Sequence, residues 1–150
     1  MSIVTAKRLG KDFAPNGRRI SVLREVSLEV SAGKTVALTG PSGSGKSTLL
    51  SLLAGLDRPT SGEIELDGSR LNEMSEDELA ELRSEKIGFV FQSFQLIGSL
   101  TALENVMVPA EIRGDRRARQ RAAELLSAVG LEERLTHYPS QLSGGEQQRV

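Results

Sequence analysis

The chain has 150 residues, of which 38% are apolar, enough to bury a core within one domain and too many for a disordered tail. Its 19 Lys and Arg are set against 20 Asp and Glu, and the resulting net charge of −1 supplies no basic field for a nucleic-acid backbone, so no nucleic-acid partner is expected. The absence of cysteine excludes disulfides, zinc-thiolate sites and thiol nucleophiles.

The first ten residues lack the apolar stretch of a secretory signal. The longest apolar run, Leu49–Leu56, is interrupted by Ser51 and falls short of a bilayer span. The chain is therefore expected to stay in the cytoplasm and to reach any membrane through a partner. Strands are predicted over Ile3–Leu9, Arg18–Leu23 and Val26–Val30, an N-terminal β-meander with a turn at Pro15-Asn16-Gly17. Lys34–Thr39 is a short apolar run that predicts a buried strand. Glycines follow it at once, and then a leucine-rich helix over Ser47–Leu56 that ends at Gly55. Glu63–Leu66 predicts a strand entering a tight turn at Asp67-Gly68. Ser75 and Glu78 have the spacing of a capping box and open a helix to about Arg83. Ile87–Phe91 predicts the next buried strand.

From Phe94 onward helical signals dominate, which divides the chain into residues 1–93 and a helical subdomain, 94–150. Thr101 and Glu104 form a second capping box, and Pro109 predicts a kink or break in that helix. Asp115 is expected to cap a helix whose apolar face is Ala118, Ala122, Leu125, Leu126 and Val129, closed by Gly130.

Gly40-Pro41-Ser42-Gly43-Ser44-Gly45-Lys46-Ser47 matches G-x-x-x-x-G-K-[ST], between an apolar run and a helix. Glycines let successive backbone N–H groups curl round an anionic oxygen cluster, and the helix N-terminus adds partial positive charge, so the expected ligand is a polyphosphate. Lys46 is expected to reach the β- and γ-phosphates of ATP as a point charge, Ser47 to coordinate Mg2+, and Thr48 to donate to the α-phosphate.

Leu142-Ser143-Gly144-Gly145-Glu146-Gln147-Gln148-Arg149 begins like a helix, since Ser143 and Glu146 repeat the capping-box spacing. The same segment resembles the signature of ATP-binding-cassette (ABC) ATPases. That resemblance implies that Ser143, Gly144, Gly145 and Glu146 face the γ-phosphate held by a second copy of the ATPase in a head-to-tail dimer. Phe89-Val90-Phe91-Gln92 is similar to the family's Q-loop, which implies that Gln92 approaches the metal and the attacking water. Phe13 resembles the aromatic residue that stacks on adenine. The implied fold is α/β: a P-loop NTPase core with an N-terminal antiparallel β subdomain and a helical subdomain, incomplete at the C-terminus.

The resemblance spans the chain and extends to Gly88–Phe94 and Leu100–Val106, which look most like the lipoprotein-release and macrolide-export branch. It implies a transmembrane permease as partner, with the ATPase peripheral on the inner face of the membrane. The arginines at 113, 116, 117, 119 and 121 read as a solvated helix face, and His137 is assigned no chemistry. Val150 falls inside the helix that Ser143 opens. Family members continue into an aspartate, a glutamate and a histidine that serve hydrolysis, so these 150 residues are expected to bind nucleotide without turning it over, with Lys46 and Gln92 as their share of the catalytic set. Two alternatives stand beside this one: a non-hydrolysing nucleotide-binding module, and a chromosome-maintenance ATPase. The second calls for long heptads between the two motifs, and none occur here.

Overall fold

A computed structural model describes residues 2–91 and 95–150. They form two units, one ending at Gly88 and the other beginning at Phe89.

The first unit is built on a four-stranded antiparallel sheet with the order β2-β1-β3-β4. Its members are β1 (Ser2–Phe13), β2 (Ile20–Ser31), β3 (Ser61–Leu66) and β4 (Ser69–Arg70). Both hairpin turns fall where glycine and its neighbour permit left-handed backbone. Asn16 and Gly17 have φ of 53° and 79°, and Asp67 and Gly68 have φ of 47° and 82°. The two strands expected over Arg18–Leu23 and Val26–Val30 are one strand, β2. The break between them is a bulge: between the pairs Leu9 with Val26 and Lys11 with Leu23 the register slips, and Glu25 takes φ 50°. A second slip on β1 leaves Arg8 at φ 46°, and its N–H donates to the Ser27 hydroxyl at 2.9 Å. Across β3 the same level requires glycine, because a Cβ on Gly62 would lie 2.5 Å from the Lys7 carbonyl oxygen.

Helix α1 (Lys46–Leu53) turns Leu49 and Leu52 onto the sheet and leaves Leu50 exposed. Its end is a Schellman motif: Leu56 N–H donates to Ser51 O at 2.9 Å and Gly55 N–H to Leu52 O at 3.0 Å, with Gly55 at φ 62°. Helix α2 (Glu76–Lys86) opens with the expected capping box, Ser75 N–H donating to the Glu78 carboxylate at 2.7 Å. Leu9, Leu52, Ile64 and Leu79 are the fully buried residues of the core between sheet and helices.

Two predicted strands are absent. Lys34–Thr39 and Ile87–Phe91 form no strand among the described residues; Val36 is more than half exposed and Val90 fully so. A strand exists only as a member of a ladder, and the four strands of this sheet pair with one another and with neither run. Leu38 and Ile87 still pack against the core, so the apolar signal reported burial without pairing.

The second unit holds α3 (Ala102–Ile112), α4 (Ala118–Ala128) and α5 (Gly144–Arg149). Thr101 and Glu104 form the expected box at the start of α3. The helix runs through Pro109 without breaking, at the loss of the backbone bond that proline cannot donate. Asp115 does not cap α4. The N-cap is Arg117, and the Asp115 carboxylate accepts instead from Arg117 N–H and Arg121 Nη1, both at 2.9 Å, bracing the turn ahead of the helix. The buried face of α4 is Ala118, Ala122 and Leu126, whereas Leu125 and Val129 are exposed. Gly130 closes α4 in a second Schellman motif, with Leu131 N–H on Leu126 O at 2.8 Å and Gly130 N–H on Ser127 O at 2.9 Å. Leu126 and Leu131 then join Leu103 and Leu142 in a separate core.

Because Leu52 is fully buried and Leu50 on the same helix is exposed, Leu52→Ala should lower unfolding free energy by about 2–5 kcal/mol while Leu50→Ala leaves it nearly unchanged. Urea titration followed by circular dichroism checks the pair, and equal losses would show that α1 does not present this face to the core.

Candidate functional site

The loop Gly40–Thr48 is shaped by its glycines and by strand β2. Gly43 and Gly45 hold φ of 78° and 88°. Gly45 is the N-cap of α1, and being glycine it offers no side chain to satisfy the helix's first N–H groups. A Cβ there would come within 2.8 Å of Leu23 Cδ2 and 3.2 Å of the Val22 carbonyl oxygen. The loop therefore packs against β2 too closely for a side chain at this position. The first bond of the helix is Leu49 N–H to Gly45 O at 2.8 Å, so among the described residues the N–H groups of Lys46, Ser47 and Thr48 have no backbone partner.

The Lys46 ammonium folds back over this loop. It donates to the carbonyls of Gly40 at 2.9 Å and Pro41 at 2.7 Å, with the Ser44 hydroxyl at 3.4 Å. Ser44 N–H in turn donates to Pro41 O at 3.3 Å. The Lys46 ammonium and the unpaired N–H groups of Lys46, Ser47 and Thr48 thus lie on one loop and the first turn of α1, a donor set suited to an anion with several oxygens. Ser47 is exposed.

Phe13 ends β1, opposite Ile20, and is 42% exposed. Two residues earlier on the same face of the strand, Lys11 lies opposite Leu23, the residue that touches Gly45. Lys11 Nζ sits over the Phe13 ring, 5.0 Å from its centroid. It is an almost buried lysine, bound to Asp57 Oδ1 at 2.6 Å and to Arg58 O at 2.7 Å. The β1–β2 ladder carries Phe13 and the glycine loop on one scaffold.

In the second unit, Ser143 caps α5 and is capped in return. Ser143 N–H donates to Glu146 Oε2 at 2.8 Å and its hydroxyl to the same oxygen at 2.7 Å. Arg134 Nε donates to Glu146 Oε1 at 2.9 Å. Gln147 Nε2 reaches the carbonyls of Pro139 at 2.8 Å and Leu142 at 3.0 Å, fixing the entry to the helix. Gly144 and Gly145 occupy the first turn, and space is open where a Cβ on Gly145 would stand. The Ser143 N–H, the Ser143 hydroxyl and then Arg134 pull the Glu146 carboxyl from 4.5 to about 2.

Of the residues singled out in sequence, Gly40–Thr48 form one loop and the first residues of α1, Phe13 stands at the end of the strand pair that supports it, and Ser143–Glu146 form a turn in the second unit. Gln92 lies outside the described residues. Lys11 and Arg134 gave no motif to find them by, since each partner lies outside the local window: Asp57 is 46 residues from Lys11 and Glu146 is 12 from Arg134.

A sequence profile of the family described as ABC transporter matches residues 23–150. The chain belongs to the ABC transporter family. Among this family's ATP-binding proteins, YbbA of Escherichia coli K12 is 52% identical over 99% of the chain. LolD of Xanthomonas campestris, a lipoprotein-releasing system ATP-binding protein, is 48% identical over 99% of the chain. MacB of Pectobacterium atrosepticum, a macrolide export ATP-binding/permease protein, is 46% identical over the same share. The chain spans 66% of YbbA, 63% of LolD and 23% of MacB. The solved cassette MJ0796, a dimer bound to ADP and Pi, superposes with a TM-score of 0.85 at 44% identity over 97% of this chain and 66% of its own. The fold is thus the α/β P-loop fold of ABC cassettes, and the branch is that of LolD, MacB and YbbA.

A carboxyl held down in the folded protein contributes stability that is present above its unfolded value and is lost as pH falls toward the folded one. The second unit should therefore lose stability between about pH 4.5 and pH 2 through Glu146. Carboxyl-resolved NMR titration should place the Glu146 midpoint near 2, and Arg134→Ala should raise it while leaving it below 4.5, because Ser143 remains. A midpoint unmoved by Arg134→Ala would remove Arg134 from the capping turn.

Proposed function

We propose that this protein is the ATP-binding subunit of an ABC transporter: two copies bind Mg-ATP head to tail and couple its binding and hydrolysis to a partner membrane permease for export or lipoprotein release. The observation that carries the nucleotide reading is the loop Gly40–Thr48, where the N–H groups of Lys46, Ser47 and Thr48 lack backbone partners beneath the Lys46 ammonium. Phosphate oxygens would take over the lysine bonds now made to Gly40 and Pro41, with Gly43, Ser44 and Gly45 forming the cradle and Ser42 its rim. Thr48 serves the α-phosphate and Phe13 the base.

The donor set also suits Mg2+. Ser47 carries an exposed hydroxyl at the first turn of α1, and with the β- and γ-phosphate oxygens it would hold the ion, joined by Gln92. Bound there, Mg2+ neutralises charge on the phosphates. Lys46 does the same from the loop side and Gln92 orients water.

The dimeric MJ0796 cassettes support a second copy as partner. The names LolD and MacB support the permease and the class of transport. In this reading Ser143, Gly144 and Gly145 act on the nucleotide of the opposite copy, with Glu146 holding their turn. Glu146 is committed to Ser143 and Arg134 and so does not serve as the water-activating base. No helix among the described residues is long and apolar enough to cross a membrane. The association proposed is peripheral, on the cytoplasmic face, through the permease.

Lys46→Ala should abolish Mg-dependent ATP binding in calorimetry; unchanged affinity would reject the loop as the site. Mixing a Lys46→Ala copy with a Ser143→Arg copy should restore one composite site. Nucleotide-dependent dimerisation, read by light scattering, should exceed that of either variant alone, and a mixture no better than its components would rule out action across the dimer.

A further inference from the structure

Lys11 is an unusual lysine. Its side chain is 11% exposed, and its ammonium is held at three points: Asp57 Oδ1, the Arg58 carbonyl and the face of the Phe13 ring. A surface lysine gains little from a single ion pair. Here the backbone carbonyl and the carboxylate fix the charge in place, and the ring is set against it. Strand geometry makes this possible, since residues i and i+2 share a face of β1. That end of β1 is itself pinned: Thr60 N–H donates to Gly10 O at 2.8 Å and Asp12 N–H to the Thr60 hydroxyl at 3.0 Å.

We propose that Lys11 is a positioning residue for the nucleotide base: its ammonium, anchored by Asp57 and Arg58, caps one face of the Phe13 ring and presents the opposite face to the purine. This rests on the nucleotide reading of the Gly40–Thr48 loop. The ring is held in one orientation before the base arrives, so less freedom is lost on binding. The cation also draws the ring's π density toward itself, leaving the far face less negative and better matched to an electron-rich base. The β1–β2 ladder links this device to the phosphate loop, because Lys11 is paired with Leu23 and Leu23 meets Gly45.

The test compares Mg-ATP with Mg-tripolyphosphate, which has the phosphates and no base, by calorimetry on the whole protein. Lys11→Met should weaken ATP binding about three- to tenfold and leave tripolyphosphate binding unchanged. Lys11→Arg, which keeps a cation over the ring, should recover most of the loss. Lys11→Met and Phe13→Leu should be non-additive, because each removes the same stacked unit. Asp57→Asn, at a half-exposed carboxylate, frees the ammonium without deleting it and should give a smaller loss, again confined to ATP. Should Lys11→Met fail to melt cooperatively, the Lys11→Arg and Asp57→Asn results decide. Equal losses for both ligands, or no loss for ATP in Asp57→Asn and Lys11→Met, overturn the proposal and leave the loop assignment standing. If the unmodified protein binds neither ligand, the nucleotide reading itself falls.

Discussion

Gly45 lies against Val22 and Leu23 so closely that a single carbon would not fit without movement, and its backbone is in the left-handed region as well. Both demands are met by glycine alone. The contact sets the distance between the glycine loop and β2, and β2 in turn is laddered to β1 from Ser2 to Phe13. The start of α1 is fixed against β2 by that close approach, and the β1–β2 ladder places Phe13 on the same scaffold. The core beneath supplies the rigidity, with Leu49 and Leu52 seated among Leu9, Leu23 and Ile64.

The long hairpin is not a regular ribbon. Arg8 and Glu25 sit at register slips in β1 and β2, and Gly62 of β3 lies near the level of Arg8, all three at positive φ. Bulges of this kind raise local twist and re-aim the residues beyond them. On β1 those residues are Gly10 to Phe13, the stretch that carries the lysine and the ring. The cost of holding non-glycine residues in left-handed backbone is met by bonds such as Arg8 N–H to Ser27.

Three helices open with a reciprocal box: Ser75 with Glu78, Thr101 with Glu104 and Ser143 with Glu146. In each, the backbone N–H and hydroxyl of the cap residue lower the glutamate's pKa. Glu146 is displaced furthest because Arg134 adds a charge-assisted bond to the same carboxylate. The third box is thereby tied to a preceding turn, Glu132–Arg134, and becomes a fixed part of the second unit.

The boxes, the glycine turns at Gly17 and Gly68 and the helix ends at Gly55 and Gly130 are legible in the sequence because their groups bond to neighbours within about five residues, and the loop Gly40–Thr48 is legible as a contiguous motif. The apolar runs at Lys34–Thr39 and Ile87–Phe91 read as strands and are not, since pairing depends on a distant segment that the local pattern does not contain. The same reason hid the bulge that joins Arg18–Leu23 to Val26–Val30. It hid the bonds of Lys11 to Asp57 and of Arg134 to Glu146. Short-range hydrogen-bond chemistry was determined by the order of residues alone; which strand pairs with which, and which cation meets which ring or carboxylate, was decided only when the chain folded back on itself.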